Sequence, residues 1–154
     1  MTITTHATIG AVIGQATGNP VLAFVIGFLS HFLIDIIPHG DTGLADNFRI
    51  YKKQRKQAVA YSIVDGIIAI FFVLLLANVK DIGQMSLFSW GIVGAVLPDL
   101  LVGLYLITKT KYLRSFNRLH FYFHNLYVYR RGDVPLRYAI VAQIVLIAYL
   151  QTKI

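Results

Sequence analysis

Five apolar segments, separated by polar or turn-forming stretches, organise this 154-residue chain. They cover about residues 3–17, 20–38, 57–79, 84–108 and 135–152. A helix that crosses a bilayer needs roughly 20 apolar residues. The third segment, with its unbroken run from Ile67 to Ala77, and the fourth meet that length comfortably. The first is short and rich in small residues, which suits a half-span or one arm of a tilted hairpin. Its Gly10, Gly14 and Gly18 recur every four residues in line with His6, a stripe that lets a neighbouring helix approach closely. Gly18-Asn19-Pro20 is a turn signal, and Pro38 ends the second segment. Residues 110–131 follow another pattern: Tyr112, Phe116, Phe121, Tyr122, Phe123, Tyr127 and Tyr129 alternate with Arg114, Arg118, Arg130 and Arg131. That mixture predicts a helix lying at the level of the lipid headgroups. The expected fold is therefore an all-α integral membrane bundle, one domain over residues 1–154, with about five transmembrane segments and one interfacial helix.

Composition agrees with a membrane setting. Hydrophobic residues make up 56% of the chain and charged residues only 14%, well below the quarter usual in soluble domains. The mean hydropathy is +0.65. No Lys or Arg precedes the first apolar run, whereas a cleaved signal peptide carries a basic leading region, so residues 3–17 are expected in the mature protein.

A formal charge of +7 would suit nucleic-acid binding, but its placement argues against that partner. Of 14 Lys and Arg, five lie in residues 49–56 and seven in residues 109–137, each stretch flanking apolar segments. This is the bias of cytoplasmic loops, and the expected partners are anionic membrane lipids. Both basic loops are then cytoplasmic, as is the N-terminus, and the C-terminus is outside.

With that topology, all five histidines fall at one end of the bundle. His6 opens the first segment, His31 and His39 flank the end of the second, and His120 and His124 sit one turn apart in the interfacial helix. The densest stretch is Ser30-His31-Phe32-Leu33-Ile34-Asp35-Ile36-Ile37-Pro38-His39-Gly40-Asp41. Residues four apart share a helix face, so His31 and Asp35 point the same way and His39 follows just beyond the break. Neutral imidazole and carboxylate at this spacing are ligands for a borderline transition metal. The chain has no cysteine and its seven acidic residues are all aspartates, so a metal must take nitrogen and oxygen ligands and a carboxylate base must be Asp. Asp65 and Asp99 lie deeper, each about nine residues from the cytoplasmic end of its helix, or roughly 13 Å by helical rise. Asp99 follows Pro98, which frees a carbonyl one turn back, and shares a face with Gly91, Ala95 and Gly103, so it should point into a tight helix interface. Ionisable groups inside a membrane are costly and usually functional.

At these residues the chain resembles the membrane-bound metal-dependent hydrolase-like proteins, a bacterial and archaeal multi-span family. The matching stretches are Thr5-His6 with Gly10 after it, Gly27-Phe28-Leu29-Ser30-His31-Phe32-Leu33-Ile34-Asp35, and Gly94-Ala95-Val96-Leu97-Pro98-Asp99. The Pro-Asp element follows the Ser-His helix here, whereas in that family it comes first. The family's His-Arg-x-x-Thr-His element is replaced by His120-x-x-x-His124. A looser similarity of ligand spacing links the chain to zinc-dependent phospholipase C and related nucleases.

The resemblance implies a prokaryotic cell-membrane protein with one or two bound metal ions, zinc being favoured. Its expected ligands are His6, His31, Asp35, His39, Asp99, His120 and His124. An unligated aspartate, Asp65 or Asp41, would accept a proton from water. The expected substrate is an amphiphile such as a phosphoester or phospholipid, its headgroup held by the arginine cluster. A metal-ion or proton-coupled carrier, a haem protein and a scaffold with a structural metal are the alternatives. Bound haem would be visible in the spectrum, and a carrier needs a polar route from the outer face.

Overall fold

In the computed structural model, which describes residues 1–46, 50 and 55–154, the protein is all-helical. Its helices are α1 (Ile3–Thr17), α2 (Pro20–Asp35), α3 (Thr42–Asp46), α4 (Arg55–Val79), α5 (Met85–Thr108), α6 (Arg114–Asn125), α7 (Val128–Arg131) and α8 (Leu136–Leu150). Among the described residues, only α4 and α5 have both the length and the hydropathy of a membrane span. At 15 or 16 residues, α1, α2 and α8 are shorter than the roughly 20 a perpendicular span needs. Length and composition thus identify two spans where five were expected. Most of the first basic loop, residues 47–49 and 51–54, lies outside the described residues.

Local chemistry sets the helix ends near the site. The Thr2 hydroxyl accepts the Thr5 N–H at the start of α1. Asn19 accepts the N–H groups of Val21 and Leu22 to open α2, with Pro20 in the first helical position. Gly18 is no part of the close-packing stripe, because it turns the chain out of α1 with φ +64° and faces open space. The second apolar segment stops being helical at Asp35, three residues before Pro38. Proline disfavours the helical region for Ile37 and has no N–H to extend the ladder.

The helix α5 packs between α1 and α2, and α1 also touches α4 and α8. Small residues allow this. A Cβ on Gly91 would run into the Gly10 carbonyl, and one on Gly94 into the Phe24 carbonyl. Close backbone approach of this kind is the packing expected where lipid supplies no hydrophobic drive between helices. The outward sides of the helices remain apolar and exposed, as at Phe71, Leu75 and Ile144.

The predicted 110–131 helix is in three pieces: a single 3₁₀ turn at Lys111–Leu113, then α6 and α7. Aromatic rings clamp α6 onto α2. Phe116 lies 6.3 Å from Phe28 and 6.1 Å from Phe32, and Phe123 lies 5.5 Å from Phe32. This clamp turns Asn117, His120 and His124 inward, where all three are buried.

Candidate metal centre

The bundle brings the five histidines and three of the aspartates into one buried cluster with two centres. The first joins His31, Asp35, Asp99 and His120; the second joins His39, Asp41 and His124. Each could hold a metal ion. Four ligands at 2.0–2.1 Å around a tetrahedral ion lie roughly 3.3 Å from one another. In the first centre, His31 Nε2 lies 3.1 Å from His120 Nε2 and 3.6 Å from both Asp35 Oδ2 and Asp99 Oδ1. His120 Nε2 lies 3.6 Å from Asp35 Oδ2 and 3.2 Å from Asp99 Oδ1. In the second, His39 Nε2 and His124 Nε2 are 3.1 Å apart, and Asp41 Oδ1 is 2.9 Å and 3.1 Å from them. Asp35 joins the centres, since its Oδ1 faces His6 Nε2 at 3.1 Å and His39 Nε2 at 3.9 Å.

The protonation pattern is decisive in the second centre. His39 Nδ1 lies 2.7 Å from the Ile37 carbonyl, and a carbonyl only accepts, so Nδ1 carries the proton. His124 Nδ1 donates to Asn125 Oδ1 at 2.9 Å, and Asn125 in turn donates to the Tyr129 hydroxyl. In the neutral rings both Nε2 atoms are therefore lone pairs facing each other and a carboxylate oxygen. Such an arrangement is repulsive unless a cation lies among them, and a metal ion, a proton on one Nε2 or the Met1 ammonium 2.6 Å from His39 Nε2 would each serve. Outer hydrogen bonds of this kind are those that fix ligand histidines toward a metal. In the first centre His31 Nδ1 donates to the Ala95 carbonyl at 2.8 Å, which aims its Nε2 inward. That carbonyl lies in the turn before Pro98. Asp35 Oδ2 and Asp41 Oδ1 are buried without a hydrogen-bond partner, as ligand oxygens would be.

Charge is concentrated here. The Met1 ammonium lies 2.6 Å from Asp35 Oδ1 and His39 Nε2 and 3.8 Å from Asp41 Oδ2. Burial opposes its charge, but the carboxylates of Asp35, Asp41 and Asp99 push its pKa up to about 10. Burial likewise opposes ionisation of Asp41, yet the Met1 ammonium and the facing His124 and His39 rings hold it well below the usual carboxylate range. For His124 burial works downward, and the Asp41 carboxylate outweighs it and raises the pKa.

Of the seven ligands expected from sequence, six stand in the two centres. His6 stands beside them, stacked on the His31 ring at 4.0 Å. Asp41, expected as a proton acceptor, is grouped with His39 and His124. Asp65 belongs to neither centre. Its carboxylate accepts the Ile3 N–H at 2.6 Å and the Thr4 hydroxyl at 2.8 Å, capping the start of α1. Asp99 faces the histidines rather than a tight helix interface, and Gly103 on its face meets open space.

Three supporting residues were missed in the sequence. Gln143 of α8 accepts from the Thr2 N–H and from the hydroxyls of Thr2 and Thr5; its signal was a lone amide in an apolar run. Asn125 orients His124, as above. Asp133 accepts the N–H groups of Gly40 and Thr42 and so pins the turn that carries Asp41. Its pKa is lowered, because these bonds outweigh the burial that opposes its charge.

A cavity of about 590 Å³ opens beside both centres, touching Asp99 and His120 of the first and Asp41 and His124 of the second. Arg114, Arg118, Arg130 and Arg131 are exposed and do not line it. No protein-family model matches the chain, and no curated protein or solved structure does either.

Proposed function

We propose that this is a multi-pass membrane protein of a prokaryotic cell that hydrolyses a phosphoester of an amphiphile with two bound Zn²⁺ ions. The observation that carries this is the second centre: two imidazole nitrogens and a carboxylate oxygen converging at 2.9–3.1 Å. Three protein ligands leave a tetrahedral ion one position for water or substrate, the mark of a catalytic zinc. His31, Asp35, Asp99 and His120 would supply four ligands, the number of a closed, organising site, whereas His39, Asp41 and His124 would leave a position open for chemistry. Nitrogen and oxygen donors without thiolate suit zinc.

Bound in pairs, such ions polarise a phosphoryl oxygen and make water nucleophilic at neutral pH. The remaining work falls to the chain. Asp41 gives Oδ1 to the centre, and its Oδ2 takes the proton of the attacking water. The water oxygen bonds to phosphorus, the ester P–O bond breaks, and the departing alkoxide takes up the proton, so that one water is consumed. Asp35 holds the centres in register through its two oxygens. Asn125 and the Ile37 carbonyl keep His124 and His39 turned inward. In the membrane, α1, α2 and α8 cross together with α4 and α5. The basic loops, the N-terminus and the centre face the cytoplasm, and the C-terminus is outside.

The test uses purified full-length protein with a panel of phosphomonoesters and phosphodiesters of increasing chain length. Phosphate or alcohol release that is lost with chelator and restored by added Zn²⁺ is the expected result. Metal-replete protein that cleaves none of the panel would defeat the hydrolase assignment.

A further inference from the structure

We infer that the 590 Å³ cavity seats the hydrocarbon chain of the substrate, which arrives sideways from the lipid between α4 and α5. This rests on the hydrolase reading and specifies its substrate: an amphiphile with a phosphate-bearing head and a single long chain. Four observations carry it. One end of the cavity is made by His120, His124, Asp41 and Asp99, so a phosphate placed there reaches both centres. The rest of its wall is largely apolar, from Val59 and Ile63 on α4 and Leu100, Leu104 and Ile107 on α5. Those same side chains are exposed on the outer surface, Ile107 at 84% and Leu100 at 57%, so the cavity borders the hydrocarbon core rather than water. Finally, α4 packs on α1 and joins α5 in the cluster around Leu76 and Phe88, at the end away from the centre, which leaves a gap alongside the centre between two helices long enough to span.

A water-soluble phosphate has no use for apolar walls. A chamber of this size falls in the range of small-molecule sites, and each buried methylene strengthens binding roughly fourfold. Gly103 lines the cavity with nothing within 4 Å of a Cβ built on it. A larger side chain there therefore fills the seat without striking the backbone, and Gly103 touches neither centre.

The experiment uses zinc-loaded full-length protein in lipid nanodiscs and an alkyl phosphate carrying a photoreactive diazirine midway along its chain. Labelled residues are mapped by mass spectrometry. Labels are expected on residues 59–63 and 100–107, falling at least tenfold in Gly103→Phe and little in Gly103→Ala, with metal content unchanged in both. Labels spread evenly over lipid-facing residues such as Leu74 and Ile144, and indifferent to Gly103→Phe, would overturn the seat. Metal content measured on the same samples separates the two claims. Metallated protein that labels evenly loses the seat and keeps the hydrolase. Protein that binds no metal yet labels on α4 and α5 keeps the seat and loses the hydrolase.

Discussion

Removing His124 should empty one metal centre and spare the other. In His124→Ala the second centre keeps only His39 and Asp41, while His31, Asp35, Asp99 and His120 are untouched. Four-ligand structural zinc sites bind with roughly 10–16 kcal/mol, so one ligand contributes on the order of 3 kcal/mol. That is about a hundredfold in affinity. Asn125 loses its imidazole partner as well, but it keeps its bond to Tyr129. The assay is elemental mass spectrometry after dialysis against a series of chelators of graded affinity, with circular dichroism to confirm the helical fold. The wild type should retain two ions and the variant one at chelator strengths that leave the first centre filled. Hydrolysis should disappear with the lost ion. Retention of both ions, or loss of both from a variant with intact helices, would refute the division into two centres.

Three further outcomes follow from other parts of the molecule. Gly91→Leu drives a side chain into the Gly10 carbonyl and separates α1 from α5, so thermal unfolding in detergent should begin far lower and metal should be lost with it. Asp65→Asn removes a carboxylate that caps α1, at about 1–3 kcal/mol; it should lower the unfolding temperature while turnover per bound metal stays near wild type, and a selective loss of turnover would restore Asp65 as the proton acceptor. Asp133 has a lowered folded pKa, so its contribution is complete above the unfolded value of about 3.9 and is lost as pH falls through the folded one; the turn at 40–42 should become faster in hydrogen exchange on acidification through that window, and Asp133→Asn should show the faster exchange already at neutral pH.

Much of the site was legible because it is local. His31 and Asp35 are one helical turn apart, and His120 and His124 are another such pair, so periodicity alone sets each pair on a face. Gly18-Asn19-Pro20 announced its turn with residues whose backbone and capping chemistry are specific. What stayed hidden depends on contacts distant in sequence. Nothing near Asp65 says that its carboxylate reaches the start of α1, 62 positions away. Depth along a helix made it resemble a relay residue, whereas its partners make it a cap. The pairing of His39 with His124 and of His31 with His120 depends on the Phe28–Phe32–Phe116–Phe123 clamp, and in the sequence Phe116 and Phe123 were simply part of a helix at the headgroups. The break between α6 and α7 falls near Leu126 and Tyr127, where no proline or glycine marks it. The arginines drew attention by charge, yet they are exposed and away from both centres.

The central claim is that the buried histidines and aspartates hold two transition-metal ions, and one measurement addresses it. Elemental analysis of detergent-purified wild-type protein, combined with X-ray absorption at the metal edge, gives both number and donor type. The expected result is two ions per chain, bound at about 2.0–2.1 Å by nitrogen and oxygen only. Protein that keeps its helical fold, is offered zinc in excess, and still carries no transition metal after removal of loosely bound ions would contradict the account.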